Sequence, residues 1–112
     1  MTKQEFDKLS TAAGFGPCAD YMWPEIEEVY STSDDIDKAL VVDIYWHEPG
    51  IHREVLAIRR EIESMVMRMS YCTKEYQFPE IRKYHNKLTG LYGALSVAIA
   101  TAKDKARTRK EA

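Results

Sequence analysis

A chain of 112 residues, 45% hydrophobic and with a formal net charge of −2, has the size of one domain and can build one modest core. Two cysteines, Cys18 and Cys72, exclude a disulfide framework and suit a reducing compartment. The polar opening MTKQEFDKLS does not read as a secretion leader, so a cytoplasmic location is expected.

Thr2 and Glu5 have the spacing of a capping box and predict a short helix from about residue 3 to 12, with Phe6 and Leu9 inward. Gly14 and Gly16 end it. A second helix is predicted from about Asp20 to Ser31, with Trp23, Ile26, Val29 and Tyr30 on one face and Glu25, Glu27 and Glu28 outward. Pro24 fits its first turn, where the missing N–H is not needed. Ser33 then predicts the cap of a third helix opened by Asp34 and Asp35, with Ile36, Ala39, Leu40 and Ile44 apolar. The stretch ALVVDIYW is β-branched enough to be a strand instead.

The second half is more regular. Ile51, Val55, Ile58, Ile62, Met65, Met69, Cys72 and Tyr76 alternate spacings of four and three, and so do Ile81, Tyr84, Leu88, Leu91, Leu95, Ala98 and Ala102. Each series is a heptad seam and predicts a long helix packed along its length. Pro79 breaks the chain between them, with about three residues of connection. The expected fold is therefore all-α: short acidic helices over residues 1–48, packed on a long antiparallel αα-hairpin over residues 50–108. The hairpin cannot stand on its seam alone, because about 2 kcal/mol per seam residue falls short of the backbone entropy lost in ordering it. It needs cover from the first half or a second subunit.

The uncharged run LTGLYGALSVAIATA, residues 88–102, rises only about 22 Å as a helix, short of a hydrocarbon core of roughly 30 Å, so no membrane span is expected. Behind its seam it carries Gly93, Val97 and Ala100 where a solvent-facing helix would carry charge. That face is expected to meet the N-terminal helices, a second copy of the chain, or both, and a homo-oligomer is expected from it.

Charge divides along the chain. Residues 1–50 hold three Lys/Arg against eleven Asp/Glu, a balance of −8; residues 51–112 hold thirteen against seven, a balance of +6. Either the halves fold together and cancel, or a basic surface faces an anionic partner. The densest candidate is RMSYCTKEYQFPEIRKYHNK, residues 68–87. Here Arg68, Lys74, Arg82, Lys83 and Lys87 are interleaved with Tyr71 and Tyr76, a mixture that suits phosphate and base stacking or a protein partner. The tail from Lys103 to Lys110 is also basic.

Catalytic and metal signatures fail on spacing. His47 and His52 in HEPGIH are five apart with Pro49 and Gly50 between them, where a zinc helix needs four. Neither His52 nor His85 has a Glu three residues before it. There is no Gly-rich phosphate loop, and Cys72 on a seam is expected to be packed and inert. No metal, cofactor or enzymatic activity is expected.

Residues 23–45, WPEIEEVYSTSDDIDKALVVDIY, resemble the start of small uncharacterised proteins carried by phages and mobile elements of gut bacteria. That resemblance implies an accessory protein that blocks or sequesters a host defence component or its nucleotide signal. The expected function is thus a non-enzymatic interaction protein binding a host protein. The alternative is a nucleic-acid or nucleotide-binding module that uses residues 68–87.

Overall fold

The computed structural model describes residues 1–30 and 36–111. They form an all-α fold: α1 (Lys3–Ala12), α2 (Trp23–Tyr30), α3 (Lys38–His47), α4 (Pro49–Ser70) and α5 (Phe78–Glu111), with a single 3₁₀ turn at Glu75–Gln77. The expectations for Ser33, Asp34 and Asp35 lie outside the described residues.

The capping box at α1 is present: Glu5 N–H donates to Thr2 Oγ1 over 3.2 Å, and Thr2 N–H to the Glu5 carboxylate over 3.4 Å. Gly14 and Gly16 adopt φ of +93° and +77°, a backbone region that side-chain-bearing residues avoid, so the chain can turn sharply out of α1. The buried Ser10 hydroxyl fastens that turn, donating to the Gly16 carbonyl and accepting from Trp46 Nε1 over 2.8 Å.

Helix α2 begins at Trp23 rather than near Asp20, with Pro24 in its first turn and Ile26, Val29 and Tyr30 inward as expected. Over residues 38–47 the chain is helix, not strand. Asp37 caps it, accepting from the Ala39 N–H over 3.3 Å. The inward residues are Leu40, Val41, Val42 and Ile44, whereas Ala39 is exposed. A helix that packs on α1, α4 and α5 together loses its one-sided pattern, which explains the resemblance of this stretch to a buried strand.

The two long helices depart from the expected lengths. Helix α4 stops at Ser70, so Cys72 and Tyr76 leave the seam: Cys72 is half-buried in the turn and Tyr76 is 80% exposed. The side chain of Gln77 builds the turn, its carbonyl accepting from the amides of Thr73 and Lys74 over 3.0 and 2.9 Å. Helix α5 then runs 34 residues, about 50 Å, along a molecule whose longest dimension is 56 Å. No described helix is long and apolar enough to cross a membrane.

Ile51, Val55 and Ile58 of α4 and Leu95, Ala98 and Ala102 of α5 share one core with Phe6, Ile26, Val29 and the inner face of α3. The first half thus supplies the cover that the long helices require. The cover is partial: Met65 and Leu88 are buried but lie outside this common core. Arg109 brings the far end of α5 to the near end of α4, pairing with Asp43 and, over 2.5 Å, with Glu48.

Candidate functional site

Folding settles which charges remain available. In the body, the acids of the first half meet cations of the second: Glu28 holds Arg60 over 2.9 and 3.1 Å, Glu48 holds Lys105 and Arg109, and Asp43 holds Arg109. The Arg60 guanidinium keeps the Glu28 carboxyl below its ordinary range. Lys38 does the same for Glu5, assisted by the Thr2 amide. In the body, then, part of the charge cancels between the halves.

The tip has no such pairing: among the described residues, Arg68, Lys74, Arg82, Lys83 and Lys87 form no ion pair. All five are exposed. Arg82, Lys83 and Lys87 share a shallow depression with Pro79 and Asn86 on the first turns of α5. Helical spacing puts residues 79, 82, 83, 86 and 87 on one side, which is why these three cations converge. Tyr71 at the end of α4, Tyr76 in the 3₁₀ turn and Phe78 at the start of α5 are 74%, 80% and 58% exposed. Arg68 at the end of α4 and Lys74 in the turn lie outside the depression. Tyr84 is half-buried and His85 exposed.

The second set of candidates, Gly93, Val97 and Ala100, is exposed on α5, as are the neighbouring Gly90 and Ala94. Val97 is 67% exposed, so the N-terminal helices do not cover this face; they meet α5 nearer Ala98 and Ala102. A Cβ at Gly90 or Gly93 would meet nothing within 4 Å. No neighbour within the chain requires these glycines, although each weakens an exposed helix by about 1 kcal/mol relative to alanine.

A further buried cluster was hidden from sequence reasoning. His52 is buried between Tyr30, whose hydroxyl lies 3.0 Å from Nδ1, and Glu25, whose Oε1 lies 2.9 Å from Nε2. A carboxylate only accepts, so in the neutral ring Nε2 carries the proton and Nδ1 accepts from the phenol. Tyr45 packs edge-on against the same ring at 5.4 Å. Burial pushes the Tyr30 hydroxyl well above its ordinary pKa, which keeps it a donor. Every polar atom of the ring is engaged in fastening α2 to α4. Its only advance signal was an inward Tyr30 ending one helix and a histidine beside Ile51 opening another.

His47 lies away from this cluster, exposed, with its ring edge to Phe15 at 5.1 Å. Among the described residues no three His, Cys, Asp or Glu side chains gather where they would hold a metal ion. Cys18 is buried and both cysteines are free thiols. Burial, with Asp7 nearby, pushes the Cys18 thiol up. Compared with protein-family models, curated proteins and solved structures, the chain matches none.

Proposed function

We propose that this chain is a small non-enzymatic interaction protein. Its long helices form an antiparallel hairpin held at one end by the acidic helices, and the free tip docks an anionic partner. One observation carries this reading: the five tip cations lack ion pairs among the described residues, while acids of the first half neutralise Arg60, Lys105 and Arg109 in the body. Exposed Tyr71, Tyr76 and Phe78 add stacking surface to that charge. The partner chemistry that fits is a nucleic acid, a nucleotide or an acidic face of a host protein. The resemblance of residues 23–45 to phage and mobile-element proteins favours an accessory role, in which the tip sequesters or blocks a component of host defence. Titration of labelled single-stranded RNA, DNA and a cyclic nucleotide at low and high salt tests the tip. Binding that weakens steeply as salt rises supports it, and salt-indifferent or absent binding counts against it.

A second reading concerns self-association. The exposed, uncharged face around Gly93, Val97 and Ala100, with open space at both glycines, suits close approach of another α5 in a two-fold dimer.

A further inference from the structure

A second concavity lies at the opposite end of the molecule from the tip. It is a cavity of about 530 Å³ between the end of α1, one side of α3 and the last turns of α5. That volume is within the range of roughly 300–1,000 Å³ typical of small-molecule sites. Its lining is largely apolar, contributed by Leu9, Ala13, Leu40, Val42 and Ala106. Phe15 closes one side and is held in place by stacking on Trp46, with ring centroids 5.2 Å apart and planes within 6°.

The charges on its rim are unevenly committed. Asp37 caps α3 through the Ala39 amide, and Asp43 is engaged by Arg109. On the opposite wall stand Lys103, Arg107 and Lys110, which helical spacing puts on one stripe of α5. Arg107 reaches Asp104 over 2.9 Å at the surface. Lys103 and Lys110 form no ion pair among the described residues. Asp43 is thus neutralised internally, Asp37 keeps a single exposed charge, and the two unpaired lysines outnumber it. An apolar trough beside a rim with this net positive excess is complementary to an amphipathic anion, whose hydrocarbon fills the trough while its acid group meets the lysines.

We propose that this cavity binds a small amphipathic monoanion, a molecule with one acid group on an apolar chain or ring. The site is separate from the tip and does not depend on the function proposed for it. Fifteen-nitrogen NMR and calorimetric titration with sodium decanoate test it, with decanol as the uncharged counterpart. The expected result is saturable one-to-one binding that perturbs the amides of Phe15, Ala39 and Ala106 and is at least about tenfold tighter than for decanol. Lys103→Glu combined with Lys110→Glu alters only exposed side chains and should weaken decanoate binding by about tenfold or more while the circular dichroism stays unchanged. Ala39→Trp, which fills the trough from an exposed position, should abolish it. Absence of saturation, decanol binding as tight as decanoate, or amide shifts confined to other parts of the molecule would each overturn the proposal.

Discussion

The hydroxyl of Tyr30 and Nδ1 of His52, 22 residues apart in the chain, lie 3.0 Å from each other inside the fold, and the other ring nitrogen reaches Glu25. Tyr30→Phe keeps the packing but leaves a buried ring nitrogen without its partner. It should cost about 1–3 kcal/mol. His52→Ala removes both bonds and leaves a cavity, at about 2–4 kcal/mol. Urea unfolding of the two variants measures this, and changes below about 0.5 kcal/mol in both would show that the bridge is not what fastens α2.

The same tyrosine gives the alkaline limb of stability its sign. Its folded pKa is raised above the ordinary value of 10.0, so its contribution is complete below that pH and is lost as pH rises through the folded value. Glu28 and Glu5 act at the other limb. Their folded values are lowered from 4.5, so their contribution is present above that pH and lost as pH falls below it. Melting temperature should therefore decline on both sides, and Tyr30→Phe should remove part of the alkaline decline. An alkaline limb unchanged by that substitution would reject the assignment.

Arg109 is the sole described partner of Asp43 and one of two described cations on Glu48, both of which are largely shielded from solvent. Arg109→Ala should cost about 1–3 kcal/mol, because it strands the Asp43 carboxylate in partly desolvated surroundings and leaves Glu48 with Lys105 alone. The loss should concentrate at the end of α5, read as faster amide exchange across residues 100–111. Uniform acceleration throughout the chain would argue instead for global destabilisation.

At the tip, Arg82→Glu with Lys83→Glu should abolish salt-sensitive anion binding and leave the melting temperature unchanged, since both side chains are exposed and unpaired among the described residues. Binding that survives this double reversal would move the site elsewhere.

Val97→Glu separates self-association from folding. At 67% exposure the side chain takes no part in the core, so the variant should melt with the wild type yet remain monomeric by light scattering. A wild-type mass of one 13.0 kDa chain at high concentration would end the dimer reading.

What could be read in advance was what is local or periodic. Thr2 and Glu5 interact within one turn, and the spacing of Ile51 through Met65 and of Leu88 through Ala102 reports a helix directly. The end of α4 was hidden because Cys72 and Tyr76 continue the heptad by coincidence. What stops the helix is the Gln77 side chain capturing two amides, a signal that no residue spacing announces. Burial of α3 against three neighbours erased its period. The tip could be counted as basic, but that its cations stay unpaired depends on where Glu28, Asp43 and Glu48 come to rest, and only tertiary structure decides that. The bridge through His52 is non-local in the same way.

The buried common core of the first and second halves reaches along the long helices to Ile58 and Leu95, with Ile62 and Leu91 packed against its edge. Beyond that point the two helices have little besides each other, with Met65 and Leu88 as the last buried side chains before the turn. Cooperativity is therefore unequal along the molecule. The covered end unfolds only when everything does, whereas the uncovered end can open as a smaller unit at a fraction of the global free energy. A firm base carrying a pliant extension is the expected behaviour, with the exposed tip cations lying where the rest of the fold constrains ordering least.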